Sequence, residues 1–154
     1  MNPRVAELIR RRLTEPDLAG RAVQLTDRTD VPRLLCGCDV LVWPAPADGL
    51  PHAVAEAGAA GLAVIAVDAG FGGPDLIDDG LTGLLVPAEE PGAPAEAILR
   101  LARDAGLRRA LGTGLRRQVA ARCDLAAVIP QWEALFEELA VPPTTPHTVP
   151  AGAM

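Results

Sequence analysis

The stretch DVLVWPAPADGLPHAVAEAGAAGLAVIAVDAGFGGPDLIDDGLTGLLVP, residues 39–87, determines the fold. It contains apolar runs at residues 39–43, 62–67 and 83–86, which are bounded by prolines or a glycine-rich loop. Runs of this length predict strands that are buried on both faces. Between the first two runs, residues 51–60 have the composition of a helix with a proline at its first position.

Helical patterns flank this stretch on both sides. Upstream, the sequence predicts a helix capped by Asn2, a short strand at residues 22–26 and a short helix at residues 31–38. Another short helix is expected near residues 75–77. Further helices are predicted at residues 93–103, 107–122 and 126–139.

Strands and helices therefore alternate, which is typical of a parallel sheet covered by helices on both sides. The predicted fold class is α/β: a three-layer sandwich with a short parallel sheet of about four strands and with C-terminal helices. Residues 1–140 form the predicted domain. We expect the Pro-rich tail, residues 141–154, to be disordered because it holds four prolines and little apolar bulk.

The composition argues against several classes of function. The net charge of −6 excludes the basic face of a nucleic-acid-binding protein. No run approaches the ~20 apolar residues of a membrane span, and the charged N-terminus does not look like a secretory signal. The cysteines, Cys36, Cys38 and Cys123, fit no common metal pattern with only two histidines, so no metal or cofactor is expected. We expect a cytoplasmic protein.

Two loops are candidates for ligand binding, because ligands of parallel sheets bind beyond the carboxyl ends of the strands. In the loop at residues 44–50, Asp48-Gly49 is a common turn dipeptide and a weak signal by itself. The loop at residues 68–74 is rich in glycine, which lets a backbone approach a phosphate. Its spacing matches neither the dinucleotide fingerprint nor the P-loop.

The helix predicted at residues 51–60 carries two polar side chains, His52 and Glu56. They are four residues apart and so share one stripe of the helix. Because the helix is nearly apolar all round, it is predicted to be buried, and a buried carboxylate needs hydrogen-bond donors. Two interpretations follow for Glu56: an internal partner, either His52 or the backbone, or the hydroxyl groups of a ligand.

In combination, these motifs resemble the C-terminal donor-binding domain of family 4 retaining glycosyltransferases, which have the GT-B fold. The resemblance is carried by the apolar strand with its proline, the DGLP segment, a second carboxylate after seven further residues, the strand LAVIAVD, the Gly-Gly loop and the segment DGLTGLLVP. It extends over about residues 22–139. It implies a truncated, Rossmann-like half of a GT-B protein.

The resemblance also implies a site for a nucleoside-diphosphate sugar. Asp48, one methylene shorter than the family's usual Glu, is the implied catalytic residue and would meet the sugar hydroxyls. Glu56 would take the ribose hydroxyls. The remaining donor-binding residues implied by the family are Gly49, Leu50, Pro51, Gly72 and Gly73.

The implied activity is hexosyl transfer from a nucleoside diphosphate with retention of configuration. In the family, an Arg/Lys pair for the diphosphate and the whole acceptor domain lie upstream of the part that this sequence matches. We therefore expect little or no activity from the isolated chain. Two alternatives stay open: a donor-binding subunit that needs an acceptor-domain polypeptide, and a non-catalytic remnant that forms a homodimer.

Overall fold

The computed structural model describes residues 3–44, 51–70 and 72–140, so the predicted disordered tail lies outside the described residues. The chain divides into an N-terminal unit that ends at Leu34 and a larger unit that begins at Leu35. The elements in chain order are α1 Pro3–Leu13, α2 Val31–Cys36, β1 Val40–Trp43, α3 His52–Ala60, β2 Ala63–Asp68, α4 Gly73–Leu76, β3 Leu84–Pro87, α5 Ala93–Arg103, α6 Ala105–Cys123 and α7 Leu125–Ala140.

The described part of the N-terminal unit consists of α1, a segment that contains several turns, and the first residues of α2. The Arg12 guanidinium donates two hydrogen bonds of 2.7 Å to the carboxylate of Asp17 and forms an ion pair of 2.9 Å with Glu15. Its hydrogen bonds hold the pKa of the Asp17 carboxyl below the usual value. These contacts fix the turn that follows α1.

The prediction of a strand at residues 22–26 is wrong. This segment is neither strand nor helix, and Val23 and Leu25 expose 76% and 53% of their surface. A strand is stabilised by the hydrogen bonds and side-chain pairs of a neighbouring strand. The described part of the N-terminal unit contains no strand that could pair with this segment, so its apolar residues alone do not make it a strand.

The sheet of the larger unit is parallel and has the order β1-β2-β3, three strands where about four are predicted. Its register pairs Val40 with Ala63 and Ile65 with Leu84. The central strand β2 is buried over five consecutive residues, as expected for a strand covered on both faces. β3 includes Pro87, beyond the predicted end at residue 86. An edge strand tolerates a proline better than a central one does.

Helices cover both faces of this sheet and confirm the three-layer α/β architecture. On one face, α3, α4 and α6 pack against Val64 and Ala66 of β2. On the other face, α5 and the first half of α6 pack against Ala63, Ile65 and Val67. The largest fully buried side chains of the two layers include Ile65, Leu76, Ile77, Leu101, Leu111 and Leu115.

Two glycines allow the helices to approach closely. A Cβ atom at Gly112 of α6 would lie 2.1 Å from the carbonyl oxygen of Gly61, just before β2. A Cβ atom at Gly58 of α3 would lie 2.7 Å from Cγ2 of Val119 and 2.8 Å from Cγ of Leu115. The α6 helix therefore touches backbone at the start of β2, and α3 and α6 cross in direct contact.

The last helix, α7, has no buried residue. Its large apolar side chains recur every three or four residues, which is the spacing of a helix that packs along one stripe. Trp132 and Phe136 contact each other with ring centroids 5.6 Å apart. In the described part of the chain, no helix is long and apolar enough to cross a membrane. The exposed members of the α7 stripe are Leu125, Ile129, Trp132, Leu135, Phe136 and Leu139.

Candidate functional site

The candidate site lies at the carboxyl edge of the sheet, where two predicted loops begin. β1 ends at Trp43, which is partly buried, and β2 ends at Asp68. Because these strands are parallel neighbours and Trp43 pairs with Ala66, their carboxyl ends lie side by side. Asp48, Gly49 and Leu50 lie outside the described residues and their roles stay predictions.

Pro51 is buried and caps the start of α3, so the helix begins one residue later than predicted. Its carbonyl accepts hydrogen bonds from the N–H groups of Val54 and Ala55, at 3.0 and 3.2 Å. Proline has no side-chain acceptor to cap the first turn. Among the described residues, the N–H groups of His52 and Ala53, at the positive end of α3, have no hydrogen-bond partner.

Glu56 is exposed, which corrects the prediction that it is a buried carboxylate. The α3 residues that face the core are Val54, Ala57 and Gly58. In the described parts of the chain, Glu56 forms neither an ion pair with His52 nor a hydrogen bond with the backbone. Alanine occurs on both the buried and the exposed face of a helix. An alanine-rich helix can therefore be apolar all round while only one of its faces is buried.

The second loop folds tightly onto the end of β2. Gly70 and Gly72 have φ angles of +82° and +76°, which side chains rarely adopt. The Gly70 N–H donates to Oδ1 of Asp68 at 3.1 Å, and the Gly72 N–H donates to Oδ2 of Asp75 at 2.9 Å. Gly73 begins α4, and a Cβ atom there would lie 3.2 Å from the Val67 carbonyl oxygen. Both predicted glycines, Gly72 and Gly73, are buried.

The two predicted glycines differ in what they offer a ligand. The Gly72 N–H is occupied by the Asp75 carboxylate. The Gly73 N–H has no hydrogen-bond partner within residues 3–44, 51–70 and 72–140. Of these two amides, only that of Gly73 has no hydrogen-bond partner in the described part of the chain.

One residue that contacts this region was missed by the sequence analysis. Nη1 of Arg122, in the last turn of α6, donates to the carbonyl oxygen of Asp75 at 2.7 Å. The two residues are 47 positions apart, so no local pattern connects them. The bond brings a cationic side chain to the helix that carries the glycine loop.

The family assignment comes from a sequence comparison. The family model described as "Glycosyl transferases group 1" matches residues 2–104 of this 154-residue chain. The chain belongs to this family.

Two curated relatives of this group 1 glycosyltransferase chain come from Streptomyces. Over 92 residues it is 37% identical to an exopolysaccharide phosphotransferase of Streptomyces coelicolor, a match that covers 60% of this chain and 10% of the relative. Over 75 residues it is 40% identical to a D-inositol 3-phosphate glycosyltransferase of Streptomyces bingchenggensis, which covers 49% of this chain and 16% of the relative. The chain thus spans less than a fifth of either relative.

Solved structures confirm that the group 1 chain has the architecture of a GT-B half. The Anabaena protein HepE in complex with UDP superimposes with a TM-score of 0.80 at 22% identity, covering 86% of this chain and 36% of HepE. Sucrose-phosphate synthase from Thermosynechococcus elongatus gives a TM-score of 0.73 at 29% identity, covering 88% of this chain and 33% of the synthase. In both cases the match corresponds to about a third of the larger protein.

The described part of the group 1 chain has cavities that the residues of the two candidate loops do not line. One of about 310 Å³ lies at the opposite, amino edge and is lined by Cys36, Cys38 and Arg108, among others. Another, of about 480 Å³, lies beside β3. The described residues bring no group of three metal-ligating side chains together.

Proposed function

We propose that this chain binds a nucleoside-diphosphate sugar as the donor-binding half of a family 4 glycosyltransferase that transfers the sugar with retention. The observation that supports the proposal is that α3 and α4 both begin beyond the carboxyl ends of the neighbouring strands β1 and β2. Sheets of this kind bind ligands at that edge. The proposed site combines the starts of these two helices with the loop that contains Asp48.

The chemistry of the described residues suits this ligand. The open N-terminus of α3, with the N–H groups of His52 and Ala53, favours an anion such as a diphosphate. When the bond between sugar and diphosphate breaks, the bonding electrons remain on the diphosphate, and such donors stabilise the developing charge. The Gly73 N–H is a further donor. Glu56 offers only acceptor atoms, which match the two hydroxyl groups of a ribose.

The relatives indicate which ligands to test first. HepE was solved with UDP and with UDP-glucose, so uridine nucleotides are the first candidates for this chain. In our proposal, Asp48 meets the hydroxyl groups of the sugar and is the catalytic residue. We propose that Gly49, Leu50 and Pro51 contact the donor next to Asp48 and that Gly72 and Gly73 border it. Acceptor binding is assigned to a second module, so the chain alone is expected to bind donor without turnover.

Substitution of Glu56 by alanine tests the proposed donor site. UDP at 100 times its dissociation constant should stabilise the wild type by ~2.7 kcal/mol and raise its melting temperature by about 5–10 °C. Glu56→Ala removes a charged acceptor of ribose hydroxyls, so the dissociation constant should rise by about tenfold or more. Thermal-shift titrations with UDP and UDP-glucose measure both effects.

A matched control is Glu137→Ala, which removes an exposed glutamate from α7. It should bind UDP as the wild type does. Equal weakening in both variants would point to net charge as the cause. A folded wild-type protein that shows no shift with uridine, guanosine or adenosine diphosphates or their sugars would contradict the proposed function.

A second candidate function is a donor-binding subunit that pairs with another polypeptide, either an acceptor-domain chain or a second copy. The specific observation in its favour is the exposed stripe of α7, which includes Trp132 and Phe136. Exposed apolar patches of this kind mark interaction surfaces. This candidate has the same donor site as the first one and differs only in the polypeptide that supplies the rest of the enzyme.

Self-association through α7 is tested by analytical ultracentrifugation over a wide range of concentration. If a second copy covers the stripe, the apparent mass should rise from one to two chains, and Trp132→Gln should weaken the dimer by tenfold or more, since buried tryptophans dominate interfaces. The control Glu138→Gln changes a neighbouring exposed residue without apolar area. A monomer at every concentration would exclude the second copy as the partner.

A further inference from the structure

A continuous set of contacts connects the end of α6 to the glycine loop. The Arg122 side chain donates to the Asp75 carbonyl oxygen at 2.7 Å. The Asp75 side chain accepts the hydrogen bond of the Gly72 N–H at 2.9 Å. Asp75 therefore makes two hydrogen bonds: its carbonyl oxygen accepts one from Arg122, and its carboxylate accepts one from Gly72. What fixes Asp75 also fixes Gly72.

The glycine loop does not hold this conformation by itself. Gly72 has φ +76° and ψ −85°, close to the classic γ-turn, which is rare and strained. The helix that follows, α4, has four residues, too few to be stable without tertiary contacts. Its apolar side is anchored by Leu76, which is buried in the core. Its polar side is contacted by Arg122.

The α6 helix is a suitable base for this contact. It is 19 residues long and is fixed in the core by Leu111 and Leu115. Gly114 and Arg122 both belong to α6 and lie about two turns apart along it. Gly114 approaches the Leu81 carbonyl, from which a Cβ atom would be 2.6 Å away. The α6 helix thus contacts α4 through Arg122 and the loop between α4 and β3 through Gly114.

The bond also fits the electrostatics of a helix end. The last carbonyl groups of a helix have no partner within it, and a cation near them is favourable. In α4, the Asp75 carbonyl is such a group, and Arg122 satisfies it. The guanidinium is exposed, so the contact does not require the burial of a charge.

We propose that Arg122 is a positioning residue for the donor-phosphate loop, holding α4 so that Gly72 stays bound to Asp75 and the Gly73 N–H stays open. This proposal rests on the proposed function for its ligand, a nucleoside diphosphate. Arg122 acts through Asp75 and makes no contact with the ligand. Its removal loosens the loop before any ligand arrives.

The first test measures the loop in the absence of ligand. Amide hydrogen exchange of Gly72, followed by NMR, should accelerate about tenfold or more in Arg122→Ala, because loss of the anchor lets the Gly72–Asp75 bond open more often. Arg122→Lys keeps a cationic donor and should restore part of the protection. The matched control, Arg117→Ala, removes another exposed arginine of α6 and should leave exchange unchanged. Unchanged exchange at Gly72 in Arg122→Ala would overturn the proposal.

The second test measures UDP affinity by calorimetry in the same variants. Arg122→Ala should bind UDP about tenfold more weakly, Arg122→Lys less so and Arg117→Ala like the wild type. Asp75→Ala should cause a similar loss, and the double variant should lose no more than either single one, since both act on one loop. If the losses of UDP affinity in the double variant were additive, Arg122 would not act through Asp75, which would contradict the proposal. A wild-type protein that binds no nucleotide would count against the proposed function, whereas the exchange result alone decides the positioning role.

Discussion

Gly112→Ala is expected to destabilise the protein by about 3 kcal/mol or more, at or above the usual upper limit for overpacking. The added methyl group would lie 2.1 Å from the Gly61 carbonyl oxygen and 2.9 Å from its carbonyl carbon. Both contacts are with backbone, so no side chain can rotate away. Gly61 itself is fixed, because its N–H donates to the Gly58 carbonyl at 2.9 Å and it has a φ of +80° at the end of α3.

Relief of this clash requires α6 to move away from the start of β2. That movement would separate Leu111 and Leu115 from the two core layers, which is why the expected loss is large. Urea unfolding followed by circular dichroism measures it as a lower midpoint with an unchanged slope. The control is Gly92→Ala, where a Cβ atom meets no atom within 4 Å. A loss below about 1 kcal/mol for Gly112→Ala would show that α6 is not held as described.

Leu115→Ala is expected to cost about 2–5 kcal/mol, because it removes a leucine that is fully buried between α3, β2 and α6. The side chain is surrounded by the core on every side, so the cavity cannot collapse without moving a helix. Chemical denaturation again gives the measurement. The control, Leu139→Ala, truncates an α7 leucine that is 71% exposed and should change the free energy of unfolding by less than about 0.5 kcal/mol.

A double variant makes this prediction more specific. Gly58→Ala alone should destabilise the protein, since its Cβ atom would lie 2.8 Å from Cγ of Leu115. In the Leu115→Ala background the contact with Leu115 is absent and the new methyl group fills part of the cavity, while the 2.7 Å contact with Cγ2 of Val119 remains. The double variant should therefore be less destabilised than the sum of the two single ones, by more than about 0.5 kcal/mol. Strict additivity would contradict the contact between α3 and α6.

Much of the fold could be predicted because its signals are local. The strand predicted at residues 39–43 is observed as Val40–Trp43, and the helix predicted at residues 93–103 is observed with the same bounds. Apolar runs and prolines mark such elements directly. The segment 22–26 has a strand-like composition but lacks a pairing partner in its own unit, and a partner is not visible in a local pattern.

The candidate site could be predicted in part for the same reason. The family assignment is confirmed, and the candidate residues Pro51, Gly72 and Gly73 lie at the starts of α3 and α4, but their roles in binding stay predictions. The predicted burial of Glu56 was wrong because an alanine-rich helix gives no clear apolar stripe. The bond between Arg122 and Asp75 joins residues 47 positions apart, and the close approach of Gly112 to Gly61 depends on how α6 crosses β2. Only a three-dimensional arrangement reveals such contacts.

The position of Trp43 at the end of β1 has an optical consequence. The chain contains no tyrosine and two tryptophans, so its near-ultraviolet fluorescence comes from Trp43 and Trp132 alone. Trp132 is 54% exposed on α7, and an exposed indole emits at longer wavelength and is reached by soluble quenchers. Trp43 is partly buried where β1 meets the loop of the proposed site. Replacement of Trp132 by phenylalanine would leave a single intrinsic fluorophore whose emission reports on that edge of the sheet.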